Sequence, residues 1–228
     1  MLFLSEDKSL TIYAFPGLGT DHRIFTYLDL NAKVVHVPWK IPRRKDNLKS
    51  YAQYLVEDYD LSGNYAFLGV SFGGMVASEL QHIFNPVFVC LVASVKSHLE
   101  MPRWLRSLRY VYPLWLLPAF CFKPPFALLK YPLGIANPRH LDLFRDFYRA
   151  SSPVFLKRSI RMIASWQQNS EYPSKNMIHI HGDRDKLFPF HKIATPKQQL
   201  NGTHFLIVTG SKHINAIINE EINRLNTI

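Results

Sequence analysis

The sequence predicts an α/β protein built on a mostly parallel sheet of about six to seven strands with helices on both faces. Two observations point there. Short runs rich in β-branched and aromatic residues recur along most of the chain, and segments with apolar residues at helical spacing lie between them. A third observation keeps the fold in one piece: no repeat of solenoid period and no Gly/Ser-rich linker divides the 228 residues. One domain over 1–228 is therefore expected, and 47% hydrophobic residues with 19% charged ones exclude collagenous, coiled-coil and disordered classes.

Taken in order, strands are expected over 10–15, 34–37, 65–70, 87–95, 177–181 and 204–208. Residues 2–4 would add an antiparallel edge strand, turning through Glu6, Asp7 and Lys8 to pair with the run at Leu10. Helices are expected over 51–58, 72–84, 154–166 and 213–225, the last with Ile214, Ile217, Ile218, Ile222 and Leu225 on one face. Residues 97–152 form an insertion longer than an ordinary crossover. Its prolines, Pro102, Pro113, Pro118, Pro124, Pro125, Pro132 and Pro138, break helices into short pieces, so it reads as a cap on the sheet's C-terminal edge.

With 27 basic residues against 17 acidic ones, a net charge of +10 favours anionic partners, though charge alone does not choose among phosphates, lipid headgroups and carboxylates. No motif for nucleic-acid binding accompanies the basicity. Cys90 and Cys121 sit in apolar surroundings without metal-ligand spacing and read as small buried thiols. The apolar N-terminal stretch is cut short by Glu6 and Asp7 before a signal-peptide core forms, and the greasiest run, 110–122, is shorter than the roughly 20 residues of a membrane span. A cytoplasmic location is the expectation.

The run at 65–70 leads into Gly69-Val70-Ser71-Phe72-Gly73-Gly74 and then directly into a helical pattern. This is the strand-turn-helix setting that a G-x-S-x-G nucleophile turn requires. The serine takes up a strained backbone on a tight turn, and side chains at Gly69 and Gly73 would collide with neighbouring helix and strand. The turn also puts the Phe72 N–H at a helix N-terminus, where a developing negative charge is favoured. A serine hydroxyl needs a base, and the base needs an orienting group. Asp183 and Asp185 lie in the loop after 177–181, where open α/β sheets assemble their sites, and Asp185 is the preferred one. His213, between the expected strand at 204–208 and the last helix, is the expected base.

These residues resemble the α/β-hydrolase superfamily, whose nucleophile, acid and histidine follow in the order Ser71, Asp185, His213, over a match that runs from about Leu10 to the C-terminus outside the cap. The resemblance implies that the acid follows a G-x-x-D-x-x-x-P pattern, which Gly182, Asp185 and Pro189 fit; Asp183, from its place in the loop, reads as a carboxylate holding backbone N–H groups. It also implies a second oxyanion donor in Phe15-Pro16-Gly17-Leu18-Gly19, at the Leu18 N–H, beside that of Phe72. Departures include Pro16 and Val70 where histidine is frequent, and Lys212 where glycine is frequent before the base.

The implied activity is that of a serine hydrolase acting on a carboxylic ester or thioester through an acyl-enzyme on Ser71, without cofactor or metal. His179 and His181 alternate on one strand but lack a third ligand at a recognisable spacing. Acyl transfer through the same intermediate, or a binding module on the same fold, are the alternatives. The cap carries many large apolar residues, among them Trp104, Tyr112, Trp115, Phe120 and Phe122, and eight basic side chains against three acidic ones. It suits a small-molecule acyl substrate with an apolar or anionic part, and its surface is a candidate for peripheral membrane contact.

Overall fold

Thr11–Phe15 forms β1, Lys33–His36 β2, Tyr65–Val70 β3, Val89–Val92 β4, Met177–Gly182 β5 and Gln198–Leu200 β6 in the computed structural model, which describes residues 10–167, 176–194 and 198–227. All five pairings are parallel and the strand order is β2-β1-β3-β4-β5-β6. The proposed edge strand at 2–4 lies outside the described residues. Every residue of β3 and β4 is buried, as expected of central parallel strands covered on both faces.

Helix α1 (Leu48–Val56) starts at a reciprocal cap in which Asn47 Oδ1 accepts from the Ser50 N–H and Ser50 Oγ accepts from the Asn47 N–H. It packs against α2 (Phe72–Leu80), which is wholly buried and lies on β1, β3 and β4. Strand β4 is shorter than expected because Ala93 turns to a φ of 47°, which no extended strand tolerates.

Between β4 and β5 the chain forms α3 (Arg103–Ser107), α4 (Tyr112–Leu116), α5 (Lys130–Leu133), α6 (Pro138–Ala150) and α7 (Pro153–Ser165), with one 3₁₀ turn between α3 and α4 and two between α4 and α5. The prolines in this stretch do more than break helices. Pro102 and Pro125 stand at N-caps, and Pro113, Pro138 and Pro153 occupy first-turn positions, where a missing N–H costs nothing. Cys121 is exposed here, contrary to the expectation of a buried thiol, because its 3₁₀ turn turns Phe122 inward in its place; Cys90 is buried as expected.

The largest departure concerns the last strand. Residues 204–208 are not extended: Leu206–Thr209 is a short helix, α8, followed by α9 (Ser211–Asn226), and the strand is the earlier, polar Gln198–Leu200. A short apolar run has no periodicity that separates a buried strand from a buried helix turn. Ile214, Ile218 and Ile222 form the buried face of α9, with Ile217 and Leu225 partly buried beside them. No helix among the described residues is long and apolar enough to cross a membrane.

Candidate active site

The reversal in strand order puts a crevice between β1 and β3, where the chain runs outward in opposite directions, and open parallel sheets bind ligands at such a point. Ser71 stands there, directly after β3, with φ 52° and ψ −116°. Its neighbours leave room for nothing but glycine. A Cβ on Gly69 would come within 2.3 Å of the Gly73 carbonyl oxygen, and one on Gly73 within 2.1 Å of the Phe15 carbonyl oxygen. The turn is held from β4's side: the Ser71 N–H donates to the Val92 carbonyl at 3.0 Å, and Ser94 Oγ–H donates to the Ser71 carbonyl at 2.6 Å.

Ser71 Oγ lies 2.9 Å from Nε2 of His204, and Nδ1 of the same ring lies 2.8 Å from Oδ2 of Asp185. His204 and Asp185 are both buried, and the Phe188 ring packs edge-on against the imidazole at 5.3 Å. The expectation for the histidine is therefore corrected. His213 is exposed on the first turn of α9, and the imidazole that reaches Ser71 belongs to His204. Counting from a strand at 204–208 displaced the expected histidine by one element, whereas the strand, β6, ends at Leu200 and leads through Asn201, Gly202 and Thr203 to His204. A signal was present: Gly202 stands two residues before His204, in a turn that needs a small residue, while Lys212 was already discordant at His213.

Asp185 is tied at both oxygens. Oδ1 accepts the N–H groups of Leu187 and Phe188, each at 2.8 Å, and Oδ2 faces His204 Nδ1 and, at 3.3 Å, Nε2 of His181. Burial raises the cost of its charge. The adjoining His204 ring, the hydrogen bonds from His181 and His204, and the Phe188 N–H outweigh burial and hold the carboxyl well below the usual carboxylate range. His181, fully buried, also reaches the Phe188 carbonyl at 2.7 Å and so fixes the loop carrying Asp185, while His179 reaches the Ser94 carbonyl at 3.0 Å behind the serine turn. The alternation of these two histidines thus reports two braces of the site's loops, a role the sequence reading did not assign.

Asp183 is exposed, and its Oδ1 accepts the Gly202 N–H at 3.0 Å; the Arg184 N–H donates to the Gly202 carbonyl at 2.9 Å. It holds the loop leading to His204 and does not join the Ser71 chain of hydrogen bonds. The loop 16–19 follows β1 at the same edge, with a Cβ on Gly17 only 3.7 Å from Ser71 Cβ. Phe72 begins α2, where a backbone N–H lacks an intrahelical acceptor.

A cavity of about 230 Å³ opens over Ser71 and His204. Leu18 and Ile24 wall it from the sheet side, and Phe122, Leu129, Leu133 and Phe144 from the 97–152 segment. No Lys, Arg, Asp or Glu lines it. A larger and more polar groove of about 410 Å³, lined by Asp21, His22, His36 and Lys40, shares Thr20 with it but reaches none of Ser71, Asp185 or His204. We place the site at the smaller cavity because the hydrogen-bonded groups face it.

Comparison with known proteins agrees with this architecture. The chain superimposes on RedJ, a thioesterase from the prodiginine biosynthetic pathway of Streptomyces coelicolor, with a TM-score of 0.65 at 16% identity, covering 91% of this chain and 85% of that one. The esterase EaEST of Exiguobacterium antarcticum gives a TM-score of 0.70 at 13% identity, covering 94% and 92%. ClbQ from the colibactin NRPS/PKS pathway gives 0.61 at 16% identity, covering 96% and 99%. The chain has the α/β-hydrolase fold. None of the known protein-family models matches it, and no curated protein matches it by sequence. On this fold it carries a serine turn after β3, a carboxylate after β5 and a histidine after the last strand, joined by hydrogen bonds.

Proposed function

We propose that the chain is a serine hydrolase that cleaves a carboxylic ester or thioester with an apolar acyl group, through an acyl-enzyme on Ser71. The observation that carries this reading is the continuous chain from Asp185 Oδ2 through both ring nitrogens of His204 to Ser71 Oγ, with steps of 2.8 and 2.9 Å. Asp185 accepts the Nδ1 proton of His204, which leaves Nε2 as the acceptor for the Ser71 hydroxyl proton. Oγ then attacks the acyl carbonyl, and the N–H groups of Leu18 and Phe72 receive the oxyanion. His204 returns its proton to the departing alcohol or thiol, takes one from a water, and that water releases the acid from Ser71. The apolar cavity walls suit the acyl chain, and a thioesterase and an esterase among the similar folds agree with the reaction class. The segment 97–152 serves in this reading as a cap that supplies seven of the nineteen residues of the cavity wall.

Fluorophosphonate labelling combined with hydrolysis of p-nitrophenyl esters and acyl-CoA thioesters tests the proposal. Ser71→Ala abolishes labelling, and both Ser71→Ala and His204→Ala lower turnover by about a thousandfold or more. His213→Ala keeps near-wild-type turnover. Undiminished labelling of the Ser71 variant, or loss of turnover on changing His213 but not His204, sinks the assignment.

A further inference from the structure

The outer surface of the 97–152 segment has an unusual composition for a protein face in contact with water. Ten of the thirteen exposed large apolar side chains among the described residues fall within 99–131. Trp104, Tyr110, Tyr112, Leu116 and Phe120 are each more than half exposed, and no charged residue occurs from 110 to 120. Concentration of this kind marks an interaction surface, since scattered exposed apolar residues need no explanation but contiguous ones do.

These residues belong to one layer. Helix α3, the 3₁₀ turn after it and the turn at Ala119–Phe122 all pack on α7, so what they expose lies on the side away from it. The layer is anchored: Lys157 on α7 donates to the Leu117 carbonyl at 2.6 Å, and Trp115 stacks on buried Phe122 at 5.8 Å. Its charge has one sign. Arg103, Arg106, Arg109 and Lys130 stand in 97–131 with exposed or half-buried side chains, Lys123 is turned inward onto the Arg149 and Ser151 carbonyls, and the single acid, Glu100, is buried and accepts the N–H groups of Lys96 and Ala194.

We propose that this face docks on an anionic lipid bilayer. Tryptophan and tyrosine rings, apolar in body and polar at one end, settle at headgroup depth, leucine and phenylalanine enter the acyl boundary, and the cations meet the anionic headgroups. Helical pieces of five residues cannot span a bilayer, so the segment lies on it. A second copy of the chain is a poorer occupant, because two such faces would bring like charges together. Phe122, Leu129 and Leu133, next along the chain, line the cavity over Ser71, which places the bilayer contact beside the cavity wall. The inference concerns binding and stands or falls independently of the proposed reaction.

The test is sedimentation of the full chain with phosphatidylcholine vesicles, with and without roughly one-third phosphatidylglycerol. The expected result is binding to the anionic vesicles that is about tenfold tighter and weakens with salt, together with a blue shift of tryptophan emission. Leu116→Glu/Phe120→Glu, at exposed positions, lowers that binding about tenfold or more with an unchanged melting temperature, and Arg103→Glu/Arg106→Glu lowers it on anionic vesicles only. Absence of wild-type binding overturns the proposal, as does binding that both variants retain. A dimer abolished by these substitutions, without vesicle binding, assigns the face to a second copy and overturns it equally.

Discussion

Ser71 has a φ of 52°, a conformation that L residues adopt at a cost of about 1–3 kcal/mol, and it persists because Val92 and Ser94 hold both ends of its peptide unit. The same economy of contacts governs Asp185, whose two oxygens meet four hydrogen-bond donors. Its folded-state pKa is depressed, so the stabilisation is complete above the unfolded carboxylate value of about 3.9 and is lost as pH falls through the lower folded value. Asp185→Asn turns one acceptor into a donor facing N–H groups. It is expected to destabilise the fold by about 2 kcal/mol at neutral pH and to flatten the acid limb of the melting-temperature profile, as thermal scans from pH 7 downward would show. Asp183→Asn keeps an acceptor for the Gly202 N–H and should retain most ester turnover; equal losses in the two variants would contradict the assignment of Asp185.

Elements meet at the serine turn through two glycines. Gly73 lets α2 approach the end of β1 so closely that a Cβ would stand 2.1 and 2.4 Å from the carbonyl oxygens of Phe15 and Pro16. Gly73→Ala is accordingly expected to cost about 3 kcal/mol or more, read as a shift in urea midpoint, and to reduce turnover beyond the loss of folded protein because the loop at Leu18 is displaced with Pro16. The glycine spacing made this junction legible in the sequence. The end of the sheet was not legible, because β6 is two exposed glutamines and a single partly buried leucine, while the apolar run at 204–208 packs as a helix turn. Hydrophobicity therefore pointed to the wrong segment as the strand, and the histidine assignment followed it.

At the scale of the whole molecule, the cavity exists only because the sheet and the segment between β4 and β5 face each other across Ser71. Ile160, on α7, lines it. Ile160→Trp shortens the space, and each methylene of acyl chain denied burial forfeits about 0.8 kcal/mol, so excluding two methylenes shifts preference toward shorter p-nitrophenyl esters by about tenfold in kcat/KM. An unchanged chain-length profile would place the acyl chain elsewhere. Part of the net charge of +10 also acquires a location, since five basic residues share the 97–131 stretch with an exposed apolar layer and its one acid is buried.

The sequence by itself determined the α/β alternation, five of the six strands, the serine and its glycines, and the carboxylate, because each is a local matter of periodicity, steric room or spacing along the chain. Only the tertiary structure decided which of ten histidines meets the serine. That choice depends on where β6 ends and on how the following turn passes over Asp185, a relation between segments far apart in sequence that no local pattern encodes.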